Sequence, residues 1–150
     1  MKKFVVLDDV FDEATTRALA EFDYSVNQPT WYNVGALPLH EKILDICRQH
    51  FDLTRIVGYE MWRNKGKLAW HVDKDERLFR EKQALICPQC SVVYYAFAED
   101  VVGGEFATDD ITCMPQTNRL LMFSPGVGHS VSAFTGKRIA VSINPWNHRV

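Results

Sequence analysis

The stretch Tyr59-Glu60-Met61-Trp62-Arg63-Asn64-Lys65-Gly66-Lys67-Leu68-Ala69-Trp70-His71-Val72-Asp73 decides the reading of this chain. It carries short runs of β-forming residues on either side of Gly66 and ends in a His-x-Asp pair. On an extended strand, residues two apart point to the same side, so His71 and Asp73 can reach one ion together. A third ligand must then come from elsewhere, and His129 in Gly128-His129-Ser130 is the candidate. Two neutral imidazoles and one carboxylate occupy one face of a ferrous ion and leave the other positions open. Open positions distinguish a catalytic metal from a structural one. A lone His-x-Asp is a weak signal in a chain with 5 histidines, because exposed His and Asp are common in loops.

The strand after His129 adds weight to the pair. Arg138 and Ser142 stand at even spacing in Arg138-Ile139-Ala140-Val141-Ser142. A guanidinium offers a planar fork for a carboxylate, and a hydroxyl on the same strand face adds a further hydrogen bond. Such a pair suits the far end of a dicarboxylate whose other end lies on the metal. Asn144 falls on the same face, although Pro145 beside it reads first as a strand terminator.

From about Leu53 onward the chain reads as β, with runs of Val, Ile, Tyr, Phe and Trp punctuated by Gly66, Gly103-Gly104, Pro125-Gly126 and Thr135-Gly136. Strands are expected over about 56–62, 68–72, 91–98, 104–107, 120–124, 129–133 and 137–143. This is the pattern of an antiparallel sandwich or barrel. Ahead of it come a strand at about 3–7 and two helices. The first spans about 12–22, with Asp12 as N-cap, and the second about 39–50, with Leu39, Ile43, Leu44, Ile46 and Cys47 at helical spacing behind Pro38.

Taken together, these segments resemble the 2-oxoglutarate- and Fe(II)-dependent oxygenases, and within them the prolyl 4-hydroxylase-like branch with its small bacterial and phage members. The resemblance runs from about Phe4 to Trp146. It is carried by 59–73, Ser91-Val92-Val93-Tyr94-Tyr95, Gly103-Gly104-Glu105-Phe106, Asn118 to Phe123, and His129 through Arg138 to Ser142.

It implies a mainly β fold, a double-stranded β-helix (jelly-roll, cupin-like) barrel buttressed by two N-terminal helices. It implies His71, Asp73 and His129 as iron ligands and Arg138, Ser142 and Tyr95 as cosubstrate contacts. The cofactors would be Fe(II), 2-oxoglutarate and O2, with ascorbate as a further candidate. The reaction would be hydroxylation of a small or peptidyl substrate, proline among them, with decarboxylation of 2-oxoglutarate to succinate and CO2. Alternation leaves open whether Tyr94 or Tyr95 faces inward, since both are flanked by apolar residues. The family strand reads like Tyr-Tyr-Leu-Asn, whereas here Ala96-Phe97 follows the tyrosines.

Length and composition bound these readings. A chain of 150 residues with 47% hydrophobic content can bury one substantial core. One domain over 1–150 is expected, with a helical buttress at about 10–50 and a barrel core at about 53–146. A net charge of −2 without like-charge runs argues against nucleic acid as partner and for a small-molecule or peptide substrate. The apolar run near the N-terminus is broken by Asp8-Asp9, so no membrane span or signal peptide is expected and cytoplasmic residence is the default. Nothing in the sequence sets the oligomeric state.

Four cysteines, at 47, 87, 90 and 113, are read as free thiols. Cys87-Pro88-Gln89-Cys90 is half of a zinc ligand set or a redox pair, but no second such motif follows. His40, His50 and His148 lie outside the metal spacing and read as solvated. The charged stretch Lys74 to Gln83 follows Asp73 directly and is expected to form a solvated loop or short helix over the site mouth, where Arg77 or Arg80 can meet an acidic group. Trp62 and Trp70 are candidates for a dry wall beside the metal, and Glu105 reads as structural or solvent-facing.

Two other readings compete. A cupin-like metal or small-molecule binding protein without turnover would leave Arg138 unexplained and usually uses a His-x-His pair. An alkylated-base repair enzyme would carry a second arginine where this chain has Asn144.

Overall fold

The computed structural model describes residues 2–150. Thirteen elements follow in order: β1 (Phe4–Leu7), α1 (Glu13–Glu21), β2 (Thr30–Asn33), α2 (Pro38–Arg48), β3 (Gly58–Asn64), β4 (Leu68–His71), α3 (Glu76–Lys82), β5 (Ser91–Gly103), β6 (Phe106–Ala107), β7 (Thr112–Cys113), β8 (Arg119–Phe123), β9 (His129–Val131) and β10 (Phe134–Trp146). They build two antiparallel sheets, one of six strands in the order β1-β8-β5-β10-β3-β2 and one of four in the order β4-β9-β6-β7. This is the jelly-roll arrangement of a double-stranded β-helix.

Alternation assigns the two faces of the large sheet to two cores. Tyr59, Met61, Val92, Tyr94, Ala96, Val141 and Ile143 face the helices and pack with Leu19 of α1 and Ile43, Leu44 and Cys47 of α2. Each fully buried Leu or Ile there contributes roughly 2 kcal/mol of hydrophobic stabilisation. The opposite face turns towards the small sheet, where Tyr95, Leu121, Phe123 and Ala140 meet Phe106, Cys113 and Val131.

The helices begin where their sequence dictates. The Asp12 side chain caps α1 by accepting from the Thr15 amide at 2.7 Å. Pro38 opens α2, where a missing amide hydrogen costs nothing. Asp75 caps α3 through the Leu78 amide at 3.1 Å, so the charged stretch after Asp73 is a short helix.

Three sequence expectations need correction. Thr135-Gly136 and Gly103-Gly104 do not end strands as punctuation would. β5 runs to Gly103, and β10 runs unbroken from Phe134, with a bulge between Thr135 and Lys137. Gly136 makes this possible because its φ is +95° and a Cβ there would strike the Asp100 carbonyl. Pro145 does not end β10 either, since it pairs with Tyr59 inside the ladder and its carbonyl accepts from the Gln89 amide at 2.9 Å.

The histidines outside the metal spacing are not all solvated. His40 is fully buried on α2, and His148 pairs with buried Asp75 at 2.9 Å. Strands β2 and β7 lie outside the expected set altogether. No helix is long and apolar enough to cross a membrane among the described residues.

Candidate metal centre and its cavity

His71 and His129 are direct partners in the β4–β9 ladder, with ring centroids 4.3 Å apart. Antiparallel pairing therefore delivers the distant histidine that the sequence required. Asp73 lies two residues beyond the end of β4, and the three candidate ligand atoms fall within 4.8 Å of one another. Asp73 Oδ1 stands 3.4 Å from His71 Nε2 and 3.6 Å from His129 Nε2.

Both rings are oriented by backbone carbonyls. His71 Nδ1 lies 2.7 Å from the Ala69 carbonyl and His129 Nδ1 3.0 Å from that of Val127. A carbonyl only accepts, so each Nδ1 carries a hydrogen and each Nε2, the nitrogen turned towards Asp73, is the one available to a metal when unprotonated. Backbone or carboxylate anchoring of the second ring nitrogen is what metal-ligating histidines commonly show. The donor set fits a divalent ion that accepts two imidazoles and one carboxylate.

Surroundings tune the three groups differently. Burial between Phe106 and Phe123, whose ring centroids lie 5.2 and 4.9 Å away, holds the His129 pKa below the usual imidazole range. Burial thus disfavours the charged form of His129. The hydrogen bond to Asp73 pushes His71 up. Burial alone favours a protonated Asp73, but the bond to His71, the attraction of His129 and the Ser91 hydroxyl outweigh it and hold the carboxyl below its ordinary value.

A cavity of about 740 Å³ opens in front of this centre. Its floor is the inner face of β10, which presents Arg138, Ala140, Ser142 and Asn144 in succession, with Glu60, Trp62 and Asn64 of β3 alongside. Arg138 is only 4% exposed, yet no ion pair among the described residues involves it. One Nη donates to the Asn64 carbonyl at 3.1 Å, the guanidinium lies 4.1 Å over the Phe134 ring, and Nε has no partner among the described residues. Leaving a buried charge unpaired is costly. An anionic ligand group in the cavity would compensate it.

Tyr95, opposite Ala140 on β5, lines the same cavity, while Tyr94 faces the helices and donates to Asn118 Oδ1 at 2.8 Å. Burial raises the Tyr95 pKa, so its hydroxyl stays protonated and able to donate. Ser142 also lines the cavity, with its hydroxyl 3.5 Å from Asn64 Nδ2. Of the two tryptophans expected beside the metal, Trp62 borders the cavity and Trp70 does not. Trp70 lies 53% exposed, with its indole so close to Gly128 that a Cβ there would approach to 2.6 Å.

Two neighbours of the centre carry no role in the sequence reading: Ser91, whose hydroxyl donates to Asp73 Oδ2 at 2.6 Å, and Glu60. Glu60 stands beside Asn144 in the ladder, accepts from Trp146 Nε1 at 2.9 Å, and has its pKa raised by burial. The cysteines do not converge into a metal site. Cys90 is fully buried against Cys47 in the helix-side core, whereas Cys87 lies nearer the surface by the Gly126 backbone.

No family model and no curated protein sequence matches the chain. Solved structures do. The viral collagen prolyl hydroxylase of Paramecium Bursaria Chlorella virus-1, in its 2-oxoglutarate complex, superposes with a TM-score of 0.66 at 16% identity, over 95% of this chain and 93% of its own. HygX of Streptomyces hygroscopicus, with nickel and 2-oxoglutarate bound, gives 0.61 at 14% identity, over 97% and 85%. A Trichoplax adhaerens prolyl hydroxylase, in complex with a hypoxia inducible factor peptide fragment, gives 0.58 at 14%, over 96% and 83%. The chain thus shares the fold of these proteins, a double-stranded β-helix over nearly its whole length.

Proposed function

We propose that this chain is an Fe(II)- and 2-oxoglutarate-dependent dioxygenase that hydroxylates a small or peptidyl substrate. The observation that carries the reading is Arg138, a buried and unpaired guanidinium on the floor of the cavity that His71, Asp73 and His129 also line. A protein that bound the metal alone would leave this charge unexplained. A dicarboxylate cosubstrate accounts for it, because one end can chelate the metal while the other meets the guanidinium fork.

Iron(II), when bound with 2-oxoglutarate and dioxygen, supplies the oxidative decarboxylation to succinate and CO2 that is coupled to C–H hydroxylation. The chain's own residues do the rest. His71, Asp73 and His129 would hold the ion, and Ser91 fixes the carboxylate that contributes the negative charge. Arg138, with the hydroxyls of Tyr95 and Ser142, binds the remote carboxylate of the cosubstrate. Phe106 and Phe123 shield His129 and keep water from the inner side of the centre.

Peptidyl proline is a substrate class supported by the prolyl hydroxylases among the similar structures, one of them solved with a peptide. The test needs no substrate. Anaerobic addition of Fe(II) and 2-oxoglutarate to the metal-free protein is expected to produce the visible charge-transfer band of a keto acid chelated to iron. Failure of the band to form would overturn the assignment.

A further inference from the structure

The rim of the cavity carries a charge that metal and cosubstrate binding do not use. Lys65 and Lys67 flank Gly66 in the turn between β3 and β4, and Arg77 and Arg80 stand one turn apart on α3. All four are exposed and line the same cavity. None takes part in an ion pair among the described residues.

The acidic residues of the cavity are otherwise engaged. Asp73 is committed to the metal centre, and Asp75 is held by His148 at 2.9 Å, with Arg77 acting on it only at longer range. Glu76 pairs with Lys74 at 3.3 Å. Glu60 accepts from Trp146, and burial shifts it towards its neutral form. Four cations thus remain at the mouth outside any ion pair among the described residues, on two segments that both border the entrance.

We infer that the substrate of this site is anionic, and that Lys65, Lys67, Arg77 and Arg80 receive its carboxylate or phosphate groups at the cavity mouth. This rests on the dioxygenase reading for what happens to the substrate but not for its charge. An acidic peptide and a small phosphorylated or carboxylated metabolite present the same chemistry to these residues. The rim accordingly selects by charge while the interior, with Trp62 and the metal centre, positions the C–H bond.

The experiment uses the full chain loaded with Mn(II) and 2-oxoglutarate under nitrogen, and measures calorimetric binding at low salt. The probes are two end-blocked peptides, Glu-Pro-Glu-Glu and Lys-Pro-Lys-Lys, and inorganic phosphate as competitor. Each exposed charge contributes modestly, and four acting together amount to about tenfold. The acidic peptide is therefore expected to bind about tenfold more tightly than the basic one, with a preference that fades as salt is added.

The quadruple variant K65E/K67E/R77E/R80E should reverse the preference while retaining the keto acid charge-transfer band with Fe(II), which shows that it is folded. Displacement of the acidic peptide by millimolar phosphate points to a small anion as the natural source, and its persistence points to a peptide. Equal binding of the two peptides, absence of binding by both, or a preference unchanged in the variant overturns the inference. Loss of the band in the unmodified protein would instead defeat the dioxygenase reading and leave the charge preference standing.

Discussion

The Ser91 hydroxyl donates to Asp73 Oδ2 at 2.6 Å, which leaves Oδ1 as the oxygen turned towards both imidazoles. One carboxylate thereby has one oxygen anchored by Ser91 and the other available to a metal. Removing a group that orients a metal ligand typically costs 10- to 100-fold in metal affinity. Ser91→Ala is expected to weaken Fe(II) binding by about tenfold or more without unfolding the protein, and Asp73→Ala to abolish it. Metal titration followed by the charge-transfer band separates the two, and full affinity in Ser91→Ala would show that the hydroxyl orients nothing.

On the proposed reading, Arg138 acts on cosubstrate affinity rather than on metal affinity. A hydrogen bond to a charged group contributes about 1.5–3 kcal/mol, so Arg138→Ala should raise the 2-oxoglutarate requirement by roughly 10- to 100-fold. Fe(II) binding measured without cosubstrate should be nearly unchanged. Arg138→Lys keeps the charge but loses the fork and should fall between the two. Unaltered 2-oxoglutarate affinity in Arg138→Ala would remove Arg138 from the cosubstrate site.

His40 provides a pH prediction far from the metal. Tyr24 donates its hydroxyl hydrogen to the Leu19 carbonyl at 2.7 Å, so His40 Nε2, 2.9 Å away, must be the donor to Tyr24. Nδ1 is then bare, buried and without a partner among the described residues. Burial lowers the His40 pKa from 6.5 to about 4. Below pH 6.5 the unfolded chain takes up a proton that the folded chain refuses, so stability is full above that value and falls until about pH 4. Between pH 7 and 5 the loss is about 2 kcal/mol. Urea midpoints should drop less over that interval in His40→Phe than in the unmodified protein; parallel drops would refute the assignment.

Gly128 is a steric key to His129. A Cβ at Gly128 would approach the Trp70 indole to 2.6–2.7 Å, and Trp70 and Gly128 directly precede His71 and His129 in sequence. Gly128→Ala should displace one ligand strand against the other and weaken metal binding. Gly128→Ala combined with Trp70→Ala should recover much of it. The absence of such recovery in paired metal titrations would mean that Trp70 is not the obstacle.

What the sequence revealed and what it hid follow from the kind of signal each residue leaves. The antiparallel β pattern and both helices were legible because apolar periodicity repeats over many residues. The inward-facing residue of Tyr94-Tyr95 was not, because both faces of the large sheet are covered, one by helices and one by the small sheet, and alternation loses its polar half. Ser91 is a single polar residue at a strand start with no pattern to mark it. His40 is different, since it lies with Ile43, Leu44 and Cys47 on one helical stripe, all of them buried. Its burial was readable from spacing, and only its polar identity argued for solvent.

The ladder between β4 and β9 is short, with Leu68 opposite Val131 and His71 opposite His129 and an irregularity between them. Strands β6 and β7 add only two residues each to that sheet. An ion shared by His71 and His129 would act as a staple across the thinnest seam of the barrel, so that emptying the centre lets this sheet open while the six-stranded one stays shut. Amide hydrogen exchange should show this directly, with residues 129–131 protected on metal loading and Val92 to Ala96 indifferent to it.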